Sequence, residues 1–342
     1  MPTSPPTTGR TPSSSSASRS VDVGELVDGL RSGDRATLGR AITLVESSRA
    51  DHREVAQQLL AEVLPETGGA IRVGITGVPG VGKSTFLDAL GTMLLARGSR
   101  LAVLAVDPSS AVSGGSILGD KTRMANLASH ERSFVRPSPS GGSLGGVARK
   151  TRESMLLCEA AGFDTVLVET VGVGQSETVV AEMVDSVLLL LLPGGGDELQ
   201  GIKRGILELI DVVAVNKADG EAVRAAQEAR IEYESGLRLI RPSDSGWTPP
   251  VLTCSAKTGD GLDAVWQAIQ RHRLYLEEGG LEAKRQAQQL RWMWSQVEEL
   301  LLASFRDKPK VASVLAEVEE SVRRGRKPAI QAAQELLKHF SS

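Results

Sequence analysis

Aromatic residues, cysteines and long hydrophobic runs are all scarce in this sequence. Of its 342 residues, 5 are Phe, 4 are Trp and 2 are Tyr, and only Cys158 and Cys254 are cysteine. Two cysteines so far apart, in otherwise apolar surroundings, exclude a disulfide framework and predict buried, reduced thiols. The longest aliphatic run covers residues 187–192. It is far shorter than the roughly 20 residues that cross a bilayer, so no membrane association is expected.

An excess of charge of either sign is also missing. Lys and Arg number 39 against 42 Asp and Glu, which gives a net charge of −3. Because nucleic-acid-binding proteins usually carry a clear basic excess, no nucleic-acid partner is expected. A hydrophobic content of 41% and a charged content of 24% are ordinary for a soluble globular protein. The length suits one large domain with an appendage, or two domains.

The first 20 residues are mostly Ser, Thr and Pro, with Arg10, Arg19 and no acidic residue. This composition predicts a disordered tail. A mitochondrial transit peptide would need an amphipathic apolar face, which only Met1 and Ala17 could supply. We therefore expect a cytoplasmic location rather than the mitochondrial matrix. From residue 21 to 66, apolar residues recur at helical spacing and predict an N-terminal helical extension.

Strands and helices alternate after this extension. Short aliphatic or β-branched runs predict strands at 71–76, 101–106, 165–168, 187–192, 212–216 and 251–254, and helical spacing predicts helices near 84–96, 151–161 and 221–235. Strands that are solid aliphatic runs between helices predict an α/β fold with a mostly parallel sheet, covered by helices on both faces. We assign this domain to residues 67–262 and a C-terminal helical arm to residues 263–342.

The most specific motif directly follows the first predicted strand. The run GVPGVGKS fits G-x-x-x-x-G-K-[ST] between a predicted strand and a predicted helix, which is the context of a phosphate-binding P-loop. Lys83 would bridge the β- and γ-phosphates, and Ser84 would bind Mg²⁺. The backbone N–H groups and the helix N-terminus would face the β-phosphate. The predicted nucleotide contacts here are Gly77, Val78, Pro79, Gly80, Val81, Gly82, Lys83, Ser84 and Thr85.

Two later motifs indicate which base is bound. The N-K-x-D and S-A-K motifs, each just after a predicted strand, supply Asn216, Lys217, Asp219, Ser255, Ala256 and Lys257. The Asp219 carboxylate can accept from both N1–H and the N2 amine of guanine, whereas adenine offers no donor pair at that edge. Charge-assisted hydrogen bonds contribute roughly 1.5–3 kcal/mol each, so two of them strongly favour guanine. The S-A-K loop is expected beside guanine O6.

Candidates for metal binding and hydrolysis lie between these motifs. Asp107 ends the second predicted strand, where a carboxylate can hold a water of the Mg²⁺ shell; alternatively it only opens a proline turn. Glu169 occupies the D-x-x-G position, near or on the metal, and the N–H of Gly172 could bond the γ-phosphate. Gln175 is the candidate for positioning water, and Lys121 the candidate for stabilising transition-state charge. Alternatively, Gln175 and Lys121 are only solvated, as glutamine and lysine side chains on loops often are.

Five segments together resemble the MeaB family: residues 77–85, 106–110, 113–124, 168–177 and 216–219. This family comprises GTPases associated with methylmalonyl-CoA mutase, is related to the human MMAA protein, and includes members once labelled ArgK. The resemblance spans about residues 25–335. It implies a metallochaperone-class P-loop NTPase fold and a GTP hydrolase that assists adenosylcobalamin loading and protects or reactivates methylmalonyl-CoA mutase.

The resemblance also implies roles for particular segments. Asp107 and Glu169 would lie with Ser84 at the Mg²⁺ site. Residues 107–123 would form switch I, residues 169–175 would form switch II, and residues 193–203 would form a further mobile loop facing the mutase. A homodimer built through helical extensions is implied as well. A related cobalamin-dependent acyl-CoA mutase would fit the same pattern as partner.

The predicted C-terminal arm carries an apolar stripe. Leu290, Met293, Trp294, Val297 and Leu301 recur at helical spacing. An amphipathic arm with exposed tryptophan could anchor a partner, or it could pack back on its own domain.

Three other functions remain open from the sequence. A nickel-inserting GTPase needs Cys and His ligands in metal spacing, whereas the four histidines are scattered and lie away from both cysteines. An ATP-dependent kinase of a transport-associated binding protein would have to ignore Asp219. A scaffold that binds nucleotide without significant hydrolysis is compatible with the uncertain role of Gln175.

Overall fold

A computed structural model describes residues 21–106, 124–137, 144–170, 176–194, 204–240 and 246–341. Seven strands are present in this part of the chain: β1 Ile71–Gly77, β2 Leu101–Val106, β3 Ser133–Arg136, β4 Thr165–Thr170, β5 Ser186–Leu191, β6 Val212–Val215 and β7 Val251–Thr253. They form one parallel sheet in the order β3-β2-β4-β1-β5-β6-β7. The predicted parallel α/β fold is confirmed. The predicted tail, residues 1–20, lies outside the described residues.

Helices flank the sheet and extend beyond it at both ends of the described chain. They are α1 Val23–Arg31, α2 Arg35–Glu46, α3 Ala50–Val63, α4 Lys83–Ala96, α5 Ala125–Ser129, α6 Leu144–Ala160, α7 Ser176–Ala181, α8 Arg204–Leu207, α9 Val223–Ile240, α10 Leu262–Gly279, α11 Leu281–Asp307, α12 Pro309–Arg323 and α13 Ala329–Ser341. No helix in the described ranges is long and apolar enough to cross a membrane.

Helices α1 to α3 pack against one face of the domain. The Asp22 and Asp34 side chains cap α1 and α2 by accepting from backbone N–H groups of the first turns. Leu30, Leu38 and Leu59 are fully buried, and they belong to the same apolar cluster as alternate residues of the sheet strands. The N-terminal extension therefore continues the core of this face of the sheet.

The two faces of the sheet contribute to two cores. Leu104 and Val168 face the cluster that includes the N-terminal helices and α6, whereas Val103 and Leu167 face the cluster of α4 and α10. Both faces are therefore covered, which explains why the strands are continuous aliphatic runs.

Each core also contains one cysteine. Cys158 and Cys254 are free and buried, as predicted. Burial raises the pKa of the Cys254 thiol to about 12, and it raises that of Cys158 further. Both side chains are therefore neutral, unreactive thiols at physiological pH.

Several elements differ from the sequence prediction. Strand β3 and the short helices α5, α7 and α8 were not predicted. Helix α6 begins at Leu144, seven residues before the predicted 151, and α9 ends at Ile240, five residues after the predicted 235. In the described sheet, β3 lies at the edge and pairs with β2. The remaining predicted strand and helix bounds agree with the structure to within two residues.

Of the C-terminal helices, α10 packs on the sheet, whereas α11 extends away from it. Helix α10 packs on the core through the buried Val265, Trp266 and Ile269. After Gly280, which has a φ of 132°, α11 runs for 27 residues and exposes Leu290, Trp294 and other large apolar side chains.

Candidate functional site

The loop between β1 and α4 has the conformation that a phosphate-binding loop needs. Gly77 has a φ of 155° and Gly82 a φ of 93°, a region that favours glycine. A Cβ atom at Gly77 would lie 2.5 Å from the Leu190 carbonyl oxygen, so only glycine fits there. Helix α4 begins immediately afterwards, at Lys83. Its free N–H groups and positive dipole end therefore lie next to the loop.

The Lys83 side chain folds back over this loop. Its Nζ donates to the Gly77 carbonyl at 2.7 Å and to the Val78 carbonyl at 3.4 Å. Burial lowers the pKa of the Lys83 ammonium, while the negative charges of Glu169 and Glu177 oppose that effect. These contacts hold a cation over the phosphate-binding loop.

Two of the residues predicted to bind a metal lie together at the carboxyl end of β4. Ser84 Oγ donates to Glu169 Oε1 at 3.2 Å, and Glu169 is almost fully buried. The pair sits together because β4 is the neighbour of β1, with Ile75 opposite Glu169. A hydroxyl and a carboxylate are hard oxygen donors of the kind that Mg²⁺ prefers.

Asn216 connects the P-loop to the base side of the site. It is buried, and its Nδ2 donates to the Val81 carbonyl at 2.9 Å. Its Oδ1 accepts from the Ala256 N–H at 3.1 Å and lies 3.8 Å from the Cys254 Sγ. Lys217, with a φ of 60°, donates from Nζ to the Gly80 carbonyl at 2.8 Å. The N-K-x-D motif therefore fixes the P-loop relative to the S-A-K loop.

Asp219 lies at the open end of this arrangement. Its Oδ1 accepts from Ser255 Oγ at 2.8 Å, and its Oδ2 lies 3.9 Å from Lys257 Nζ. A cavity of about 360 Å³ lies beside it. This cavity is lined by Gly82, Thr85, Asn216, Lys217, Asp219, Ala222, Ala256 and Lys257. Seven of these eight residues belong to the predicted nucleotide contacts.

The predicted residues that the structure describes lie at one edge of the sheet, at the carboxyl ends of β1, β4, β6 and β7. This is the edge where ligands bind in open α/β sheets. Asp107, Lys121, Gly172 and Gln175 lie outside the described residues, as do residues 107–123 and 195–203 of the predicted loops.

One residue near this edge was missed from the sequence. Glu177 is buried in the first turn of α7, and its charge acts on Lys83. A carboxylate two residues after Gln175 gives no recognisable spacing signal, although it closes one of the segments that resemble the MeaB family.

Two observations concern other sites. A larger cavity of about 600 Å³ lies on the N-terminal extension, where it is lined by residues between Val21 and His52, and it contains no part of the P-loop. Among the described residues, no three His, Cys, Asp or Glu side chains are grouped to hold a metal ion. The nickel-site alternative therefore gains no support from the described part of the chain.

Comparison with known proteins gives consistent matches. A sequence model of the family described as methylmalonyl Co-A mutase-associated GTPase MeaB matches residues 38–310. A Caulobacter vibrioides protein, provisionally named a GTPase, is 56% identical over 321 residues, covering 94% of this chain and 98% of its own. The mitochondrial methylmalonic aciduria type A homolog of Mus musculus is 47% identical over 332 residues, covering 94% of this chain and 80% of its own.

One solved structure matches over nearly the full length. The crystal structure of a LAO/AO transport system kinase is 39% identical, with a TM-score of 0.74 over 94% of this chain and 98% of its own. The P-loop, the N-K-x-D and S-A-K loops and the match to the family model together identify a P-loop GTPase. The chain belongs to the MeaB family of methylmalonyl-CoA mutase-associated GTPases.

Proposed function

We propose that this GTPase acts as a chaperone for adenosylcobalamin-dependent methylmalonyl-CoA mutase, or for a related cobalamin-dependent acyl-CoA mutase. It would assist cofactor loading and would protect or reactivate the mutase. The match to a family named for its association with this mutase, over residues 38–310, carries the proposal. The name of the mouse relative, which refers to methylmalonic aciduria, is consistent with it.

The proposed nucleotide is GTP, held at the base by Asp219. Ser255 Oγ donates to one carboxylate oxygen of Asp219 at 2.8 Å and so fixes the direction in which the carboxylate faces the cavity. The N1–H and the N2 amine of guanine can both donate to this carboxylate, whereas adenine has no such pair of donors. This argues against the alternative of an ATP-dependent kinase, although the matched solved structure is named a transport system kinase.

The proposed metal is Mg²⁺, bound by Ser84 and Glu169, with Asp107 as a further ligand or as the partner of a bound water. The Ser84 and Glu169 oxygens are already paired at 3.2 Å, which suits a site where both face one cation. When bound, Mg²⁺ would neutralise charge on the nucleotide phosphates.

The proposed reaction is in-line attack of water on the γ-phosphate of GTP. Lys83 and the P-loop N–H groups would stabilise the negative charge that develops on the transferred group. The Gly172 N–H would bond the γ-phosphate, while Gln175 and Lys121 stay the candidates for positioning water and supplying a cation. A GTPase without a firmly placed catalytic group hydrolyses GTP slowly on its own. At the extreme of such slow hydrolysis, the protein would be a scaffold that binds nucleotide without significant turnover.

The proposed assembly is a homodimer formed through α11, acting in the cytoplasm. Leu290, Trp294, Val297 and Leu301 follow each other at spacings of four, three and four residues along α11, which is the pattern of a helix–helix seam. Two free, buried cysteines are typical of a reducing compartment.

GTP turnover with and without the mutase tests the proposed function. Weak intrinsic hydrolysis should rise at least tenfold with saturating mutase, because a properly placed group in trans can add roughly 10³ to 10⁵ in rate. The Lys83→Ala variant should stay inactive in both conditions, which excludes a contaminating GTPase. An unchanged kcat at saturating mutase would contradict the chaperone proposal.

A further inference from the structure

Helix α7 packs on one face of β1 and is directed from the site edge of the sheet towards its opposite edge. It starts at Ser176, beyond the end of β4. The chain just after it reaches the opposite edge, where the Asp185 N–H donates to the Arg72 carbonyl at 2.9 Å. Helix α7 and the residues that follow it therefore join the site edge of the sheet to the region where α11 begins.

The middle of α7 is pressed onto β1 because Gly74 has no side chain. A Cβ atom at Gly74 would lie 2.7 Å from Val180 Cγ1, closer than such atoms can approach. Val180 is almost fully buried at this contact. This contact therefore sets the distance between α7 and β1, the strand that leads into the P-loop.

The far end of α7 is held by α11 and α6. Gln288 of α11 is 3% exposed, and its Nε2 donates to the Val184 carbonyl at 2.9 Å and the Ala181 carbonyl at 3.3 Å. Arg152 of α6 donates to the Glu182 carbonyl at 2.6 Å and to the Gln288 carbonyl at 3.1 Å. The carbonyls at a helix end have no partner within the helix, and these two side chains satisfy carbonyls at the end of α7 and just after it.

The near end of α7 carries Glu177, which is 2% exposed. Glu177 precedes Val180 by three residues, so the two side chains share the face that packs on β1. Because Val180 packs at Gly74 and α7 runs opposite to the direction of β1, Glu177 lies about one turn nearer the carboxyl end of β1, where the P-loop begins. The charge of Glu177 also partly offsets the effect of burial on the pKa of Lys83.

We propose that Gln288 is a positioning residue for GTP hydrolysis. Its amide holds the C-terminal end of α7, and the helix so held keeps the Glu177 carboxylate close to the P-loop lysine. Gln288 itself lies on α11, outside the nucleotide site. Its effect would fall on the step that needs Lys83 placed against the transferred phosphate.

The Gln288→Met variant tests the proposal, because methionine matches the length of glutamine and removes both N–H donors. The matched control is Gln286→Met, since Gln286 lies on the same helix, is exposed and bonds only Glu282 among the contacts described. Turnover should be expressed per GDP-binding site, so that a variant with a smaller folded fraction is not mistaken for one with a lower kcat. We expect kcat of Gln288→Met to fall roughly three- to thirty-fold. The affinity for GDP, which lacks the transferred phosphate, should stay within about twofold, and Gln286→Met should match the wild type.

A double-mutant cycle with Glu177→Gln separates positioning from general damage. If Gln288 acts through Glu177, Gln288→Met should lower kcat little or not at all in the Glu177→Gln background. Should Gln288→Met fail to fold, Gln288→Asn, which keeps the amide but shortens it, replaces it in the same cycle. The proposal is overturned if the two losses in kcat multiply, if GDP affinity falls in step with kcat, or if Gln288 and Gln286 variants turn over GTP equally fast.

Discussion

The side chains proposed to select the base hold one another in position. Asp219 accepts from Ser255 at 2.8 Å, and Asn216 bonds the P-loop on one side and the Ala256 N–H on the other. A carboxylate held in this way cannot turn to suit another base without losing the serine hydrogen bond. If Asp219 selects the base as we propose, the selecting groups are already oriented, which limits the reorganisation needed on binding.

Replacing Asp219 by Asn should change which nucleotide binds. The amide presents a donor where xanthine has its 2-oxo group, so Asp219→Asn should bind xanthosine triphosphate. It should also lose roughly 100-fold or more in GTP affinity, because two charge-assisted hydrogen bonds are lost. Competition binding with GTP, xanthosine triphosphate and ATP measures this. Glu221→Gln, an exposed carboxylate two residues away, is the control and should keep GTP. An unaltered base preference in Asp219→Asn would rule out the assigned role.

Not every suggestive group of residues is a site. Ser186 Oγ lies 2.7 Å from His272 Nδ1, and His272 Nε2 lies 3.3 Å from Asp211 Oδ1, which resembles a hydrolase triad. In a hydrolase, however, serine bonds Nε2 and the carboxylate bonds Nδ1. Ser186 is also fully buried, and Trp247 packs against the His272 ring with the ring centroids 4.8 Å apart. No substrate reaches this serine, so the group joins β5 to α10 and has no catalytic geometry.

The residues of the candidate nucleotide site were recognisable in the sequence because their motifs are local. A P-loop requires a strand, a glycine-rich turn and a helix within about twenty residues, and all three were recognisable from the pattern. Glu177, Gln288 and Arg152 were not, because their contacts join positions far apart in the chain. No spacing rule connects such residues before the fold is known.

At the scale of elements, the prediction failed where the local sequence signal is weak. Helix α6 lies between the sheet and the N-terminal helices. Its missed first turns, residues 144–150, contain two consecutive glycines, which are poor helix formers. Strand β3 has four residues and pairs on one side only, so its sequence signal is short.

Glu153 of α6 gives the fold a pH dependence. Burial raises the pKa of its carboxyl to about 7, against the charges of Arg149 and Lys150 and a hydrogen bond from Gln57, while Glu299 adds to the rise. An unfolded glutamate titrates near 4.3. Between that pH and 7 the folded protein binds the extra proton, so stability is highest below this window and falls as pH rises through it, by roughly 1.4 kcal/mol per pH unit.

The Glu153→Gln variant should remove this dependence. Its Tm should exceed that of the wild type by several degrees at pH 8, at roughly 2 °C per kcal/mol, and the difference should shrink towards pH 5. Thermal unfolding at both pH values measures it. Glu298→Gln, which changes an exposed carboxylate on α11, is the control and should follow the wild type closely. A Glu153→Gln variant with the wild-type slope in pH would refute the assignment.

At the scale of the whole molecule, α11 is tied to the sheet by a buried ionic network. Asp185 is fully buried at the start of β5; it accepts from Arg285 of α11 at 2.8 Å, Arg273 of α10 at 2.9 Å and the Arg72 N–H at 3.0 Å. Burial raises the pKa of the Asp185 carboxyl, but hydrogen bonds and charge from Arg285 and Arg72 outweigh it and hold that pKa low. The first turns of α11 are therefore rigid with the sheet, and its later turns project from it.

The projecting turns expose a continuous apolar stripe. Leu290, Trp294 and Leu301 are 59%, 61% and 57% exposed, and they lie on one face of α11 with Val297. An exposed apolar face of this kind marks an interaction surface. The alternation of three and four residues suits the same face of a second α11. A two-fold pairing would bring each stripe against its copy, which is why we expect a homodimer rather than an open chain of subunits.

Substitutions on the stripe test this assembly. The double variant Trp294→Ser/Leu301→Ser should run as a monomer by light scattering under conditions where the wild type is a dimer, because it removes two large side chains from each half of the seam. Leu302→Ser is the matched control: Leu302 is 58% exposed and lies about 100° around the helix from Leu301, so the dimer should persist. Both variants should bind GDP as the wild type does, since the stripe lies outside the nucleotide site. A double variant that stays dimeric, or a wild type that is monomeric at every concentration tested, would show that the stripe does not pair with itself.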